Sequence, residues 1–135
     1  MITVDTNIYI SAFKFGRKPM ELLEMAAREE IEIAVSQAII DETLGVLRDK
    51  FAFSRERLDE TRAVIEACTI MVAPTTKLNV IPEDESDNRI LECALESGSD
   101  FIITGDNDLL RRSMFQKAQI VTLLEYLDVR SAEQR

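Results

Sequence analysis

Phe101-Ile102-Ile103-Thr104-Gly105-Asp106-Asn107-Asp108 is an apolar run that breaks at a glycine and ends among carboxylates. Three consecutive apolar residues suit a central parallel strand, buried on both faces. The same pattern opens the chain, where Ile2-Thr3-Val4 reads as a strand closed by Asp5 and followed by Thr6-Asn7. In open α/β sheets, ligands bind beyond the carboxyl ends of the strands, where the strand order reverses. If these two strands are neighbours, Asp5 and Asp106 converge on one crevice. Carboxylates held that close repel, so such a pair takes up a proton or a cation.

The residues between them alternate strands with helices. Residues 8–13 begin a helix, and Pro19 suits the first turn of the next, which runs to about residue 28. Residues 31–35 read as a second strand. Ser36 is placed to cap a helix through about residue 49, and Ser54 another through about residue 67. Residues 70–72 form a third strand, and the proline-containing, acidic segment 73–85 a loop. Ser86 is expected to cap a helix through Glu96, with Gly98 at its C-terminal cap. A short helix from about Asn107, a fifth strand at Ile120-Val121 and a helical turn or two over 123–128 close the chain. This alternation predicts an α/β fold with a mostly parallel sheet covered on both faces. The length of 135 residues suits a single domain, with a frayed tail.

Composition narrows the chemistry. Hydrophobic residues make up 46% and charged residues 30%, which is an ordinary globular balance. No apolar run reaches the roughly 20 residues that span a bilayer. No basic region precedes the first strand, which argues against a signal peptide. Cys68 and Cys93 form no CxxC pair and read as small core thiols of a cytoplasmic protein. The chain has no histidine, so Ser-His-Asp and Cys-His mechanisms and HExxH zinc sites are excluded. What remains is carboxylates, hydroxyls, amines, thiols or a hard cation such as Mg²⁺ or Mn²⁺.

Two further acids are candidates. Asp87 falls in the first turn of its helix and shares a side with Ile90 and Leu91. Glu42 lies near the edge of a stripe formed by Ile39, Ile40, Thr43, Leu44, Val46 and Leu47. Acids at helix starts also offset the helix dipole, which alone would account for Asp87 or Asp106. Glutamate is mostly a solvated helix residue, which would account for Glu42. Glu83, Asp84 and Glu85 read as a solvated loop without chemistry.

The net charge of −9 disfavours unspecific binding to nucleic acid. The basic residues are nonetheless clustered. Ten of the sixteen fall in three segments: Lys14, Arg17 and Lys18; Arg48, Lys50, Arg55 and Arg57; Arg111, Arg112 and Lys117.

In order along the chain stand Val4-Asp5-Thr6-Asn7, Ser36-Gln37-Ala38-Ile39-Ile40-Asp41-Glu42, Pro82-Glu83-Asp84-Glu85-Ser86-Asp87-Asn88, and Ser99 through Leu110. With this ordered set the chain resembles the PIN-domain family over nearly its whole length, from Asp5 to Leu124. It is most similar to the small prokaryotic single-domain members, many of which are VapC-like toxins of toxin–antitoxin pairs. The resemblance implies a three-layer α/β/α fold whose five-stranded sheet has the order 3-2-1-4-5. It implies a Mg²⁺- or Mn²⁺-dependent ribonuclease, with an RNA substrate, an antitoxin partner and a homodimeric assembly.

By motif match, Asp5, Glu42, Asp87 and Asp106 would be the catalytic acids, and Asp5, Asp87, Asp106 and Asp108 would hold one or two ions. Asn7 and Thr104 match orienting polar positions. Asp41, beside Glu42, leaves that match ambiguous, although spacing from Ile40 and Leu44 favours Glu42. Lys14, Arg17, Lys18, Arg48, Arg111 and Arg112 are candidates for phosphate contacts or for an antitoxin.

Three other readings compete. One is a catalytically weak module of the same fold that binds a protein or RNA partner, and one is a housekeeping RNA-processing nuclease. The third, an aspartyl-nucleophile domain, would want a second acid where Asn7 stands. DNA cleavage is disfavoured because the chain leaves no room for added DNA-binding elements.

Overall fold

The computed structural model describes residues 1–81 and 84–133. In chain order the elements are β1 (Ile2–Val4), α1 (Thr6–Phe15), α2 (Arg17–Ala27), β2 (Ile33–Val35), α3 (Gln37–Phe51), α4 (Arg55–Cys68) and β3 (Ile70–Met71). They continue with α5 (Glu85–Ser97), β4 (Phe101–Ile103), α6 (Asn107–Leu110), β5 (Met114–Phe115), β6 (Ala118–Val121) and α7 (Leu123–Glu133). The strands form one sheet in the order β3-β2-β1-β4-β6-β5. Every neighbouring pair is parallel except β5–β6.

Successive strand side chains point to opposite faces. All three residues of β1 and all three of β2 are buried, so both faces of the sheet are covered. Helix α5 packs on β1 and β2, and α3 packs against α1, α4 and α5. The apolar residues of the central strands and Leu22, Ile39, Ile40, Ile90 and Leu91 share one core. The order 3-2-1-4 appears as expected, with β6 in the fifth place. Here β1 is flanked by β2 and β4, which makes its carboxyl end the point where the chain reverses its direction of winding.

Three details differ from the sequence reading. The first is a sixth strand, β5, which turns back on β6 through Gln116 and Lys117. Gln116 takes φ 54°, a conformation that glycine, asparagine or aspartate would have flagged. The second is the start of α5, where Asp84 is the capping residue in place of Ser86 and accepts the Asp87 N–H at 3.1 Å. The third is the length of α7, which runs to Glu133. Its Tyr126 ring packs edge-on against Phe101 at 5.4 Å, and Arg130 donates to the Glu30 carbonyl at 2.9 Å. Those two tethers hold a helix with little amphipathic signal of its own.

The remaining caps follow the sequence reading. Ser36 accepts the Ile39 N–H, Ser54 accepts the Arg57 N–H, and Gly98 ends α5 at φ 64°. No helix among the described residues is long and apolar enough to cross a membrane.

Candidate metal centre

The register Val4↔Ile103 sets the carboxyl ends of β1 and β4 side by side. The Asp5 N–H extends the ladder by donating to the Ile103 carbonyl at 2.9 Å. Asp5 therefore leaves β1 directly beside Thr104, and it is only 4% exposed. Its Oδ2 accepts the Thr104 hydroxyl at 2.6 Å, and its Oδ1 accepts the Asn7 N–H at 3.3 Å. Thr104 Oγ1 in turn accepts the Asp106 N–H at 3.0 Å. Asp106 opens α6, where its Oδ1 accepts N–H groups from Asp108 and Leu109 at 2.7 and 3.3 Å.

The start of α5 faces this corner. Asp84, Asp87 and Asp106 each bring a carboxylate oxygen to within 4.8 Å of the others. Asp87 is 4% exposed, and its Oδ2 is buried without a hydrogen-bond partner among the described residues. Glu42 reaches in from α3, half-buried, and accepts the Ser86 hydroxyl at 2.6 Å. Burial pushes the Asp87 carboxyl up to about 7, with the negative charges of Asp106, Asp84, Asp5 and Glu42 adding to it. Burial also raises Asp5. The Thr104 and Asn7 hydrogen bonds oppose that rise, and Asp106 and Glu42 reinforce it.

Five acids from four elements thus share one field, and the field is unbalanced. An orphaned buried carboxylate oxygen costs free energy unless a proton or cation meets it. Every donor is a carboxylate oxygen, with no imidazole or thiolate among them, so the set suits a hard cation of the Mg²⁺ or Mn²⁺ kind. The residues fit such an ion.

Asp108 does not join the group. Its side chain is 61% exposed and pairs with Arg111. Asn7 is exposed and reaches Asp5 through its backbone N–H rather than its amide. Asp41 is exposed and accepts from Gln37, which leaves Glu42 as the acid on the crevice side.

The basic candidates divide in two. Arg111 and Arg112 follow α6 directly and line, with Ile81 and Asp108, an open depression of about 540 Å³. Arg112 donates to the Val80 carbonyl at 3.1 Å. The others lie on α1, α2 and the last turn of α3, outside that depression. Lys14 sits over the Phe51 ring at 5.1 Å, near the far end of α1, a helix about 15 Å long. Arg17 starts α2, Lys18 pairs with Glu21 at 3.8 Å, and Arg48 pairs with Asp49 at 2.8 Å.

Two residues were missed by the sequence reading. Asp84, read as solvated loop, is half-buried and one of the converging carboxylates. Its signal was the spacing to Asp87, since an Asp three residues ahead of a first-turn acid is an N-cap pattern. Asn88, 1% exposed, binds the backbone on which Asp84 sits. Glu85 is exposed as expected, and Glu83 lies outside the described residues.

The family model described as PIN domain matches residues 1–108, a span that takes in all five converging acids. No curated protein matches the chain. Among solved structures, a chain of the crystal structure of VapBC2 from Rickettsia felis bound to a DNA fragment from their promoter is similar in fold. The TM-score is 0.65 at 18% identity, with 89% of this chain and 97% of that chain covered.

Proposed function

Because this chain belongs to the PIN-domain family, we propose that it is a metal-dependent endoribonuclease hydrolysing RNA phosphodiester bonds, acting in the cytoplasm as the toxin of a toxin–antitoxin pair. The observation that carries the reading is the convergence of Asp5, Glu42, Asp84, Asp87 and Asp106 beyond the carboxyl ends of β1 and β4.

When bound, Mg²⁺ or Mn²⁺ supplies Lewis acidity toward water and the scissile phosphate. Asp5, Asp84, Asp87 and Asp106 are the residues that would hold it. Asp5 is oriented by the Thr104 hydroxyl, a bond that favours its ionised form against the rise that burial imposes. Asp87, with its carboxyl raised to about 7, holds a proton that a bound cation would displace. Glu42, held by Ser86 at the edge of the group, is placed to orient or deprotonate water. Arg111 and Arg112 offer cationic partners for the RNA backbone beside the acids.

The likeness to VapBC2 supports the toxin assignment and an antitoxin partner. A homodimer follows from the same reading. The test is cleavage of structured RNA by purified protein in Mg²⁺ or Mn²⁺. Cleavage abolished by EDTA and by Asp5→Asn is the expected result. Cleavage that survives either control contradicts the reading. Metal binding without cleavage of any RNA offered would favour the binding module.

A further inference from the structure

Thr75, Leu78, Ile81 and Asp84, which precede α5 in the chain, are tied down by one face of that helix. At helical spacing of four residues, Asn88, Glu92 and Glu96 each take backbone groups from these residues. Glu96 accepts the Thr75 N–H at 2.8 Å, and Glu92 accepts the Leu78 N–H at 2.7 Å. Asn88 does most. Its Oδ1 accepts the Ile81 N–H at 2.9 Å, and its Nδ2 donates to the Ile81 carbonyl at 2.7 Å and the Asp84 carbonyl at 3.1 Å. Both amide hydrogens and the amide oxygen are therefore engaged in a buried setting.

Those bonds end at the residue that needs restraint. Asp84 holds its carboxylate within 4.8 Å of the Asp87 and Asp106 carboxylates, and like charges at that separation push it outward. Its own side-chain tie is the Asp87 N–H. We infer that Asn88 is a positioning residue that fixes the Asp84 backbone and so keeps the Asp84 carboxylate in the group that receives a divalent cation. The inference rests on the metal-centre reading above. Aspartate at position 88 would lack the two donors, and glutamine would carry the amide one methylene too far, so the chemistry is specific to asparagine.

The test is a double-mutant cycle in Mn²⁺ affinity, measured by calorimetry on the full chain. Thermal melts in EDTA and far-UV circular dichroism check the fold. Asn88→Ala and Asp84→Asn are each expected to weaken Mn²⁺ binding by about tenfold or more. The double variant is expected to bind no more weakly than the weaker single, because Asn88 acts through Asp84. Losses that multiply, or an Asn88→Ala protein that binds Mn²⁺ as the wild type does, overturn the inference. If Asn88→Ala does not fold, Asn88→Ser, which retains a hydroxyl for one of the three bonds, carries the same cycle. Wild-type protein that binds no Mn²⁺ overturns the metal-centre reading together with this one. Wild-type binding with unaltered Asn88 variants overturns this one alone.

Discussion

Thr104 donates its hydroxyl to Asp5 Oδ2 at 2.6 Å while accepting the Asp106 N–H at 3.0 Å. One side chain thereby joins the ends of β1 and β4, and its polarity is set. The Asp106 N–H occupies a lone pair of Oγ1, so the hydroxyl hydrogen points at Asp5. A donor aimed at a carboxylate favours the ionised form, which opposes the rise that burial imposes on Asp5.

Thr104→Val preserves shape and removes both bonds. It should cost about 1–3 kcal/mol of stability, because a part-buried N–H and a buried carboxylate lose a partner. It should also weaken Mn²⁺ binding, whereas Thr104→Ser should retain most of both. Thermal melts and calorimetry on the two variants check this. A loss in Ser with none in Val would show that the methyl group, not the hydroxyl, matters.

The metal-free protein should lose stability as pH rises toward neutrality. The Asp87 carboxyl lies at about 7 in the folded protein against an ordinary 3.8. Between those values the folded chain binds more protons than the unfolded chain, so stability falls with rising pH. The stabilisation is complete below the ordinary value and is gone once pH has passed through about 7. Asp5 is shifted in the same direction. Melts in EDTA from pH 4.5 to 8 should show a declining midpoint, and saturating Mn²⁺ should flatten or reverse the decline.

Glu42 and Asp41 are adjacent in sequence and opposite in setting. Glu42→Gln should lower RNA cleavage on the order of a hundredfold, because the proposed mechanism uses the Glu42 carboxylate on water. Asp41→Asn, at an exposed residue paired with Gln37, should leave cleavage near wild type. Initial rates on one RNA decide between them, and the reverse ranking would move the helix acid to Asp41.

Among the basic residues, Arg111→Gln should weaken RNA binding and reduce the salt dependence of affinity by about 0.7 in log–log slope, one phosphate contact on a single strand. Lys18 at the start of α2 and Arg48 in the last turn of α3, outside the depression that Arg111 lines, should change that slope little. Binding isotherms at several salt concentrations measure it.

The fold was largely legible because its signals were local. Val4-Asp5 and Ile103-Thr104 carry strand endings, and Ser36, Ser54 and Gly98 mark helix boundaries by their own side-chain and backbone chemistry. Strand β5 was not legible, since it is two residues long and turns on Gln116 without glycine or asparagine. The acids Asp5 and Asp106 stood out as closures of apolar strands. Asp84 did not, because an acidic run in a loop looks solvated until α5 packs against the sheet and draws its first turn inward. Asn88 could not be read as a tether either, since its partners are backbone groups of a segment with no regular structure. The failure of Asp108 to join the site has the same origin in reverse. It lies within reach in sequence, yet helical geometry turns it to Arg111.

Whether these carboxylates form a cation centre is decided by calorimetric titration of Mn²⁺ near pH 6. Run in two buffers of different ionisation enthalpy, it counts the protons released on binding. A cation centre built on Asp87 binds Mn²⁺ with proton release, and Asp87→Asn loses both. Absence of binding, or binding that is unchanged by Asp87→Asn and releases no proton, would contradict it.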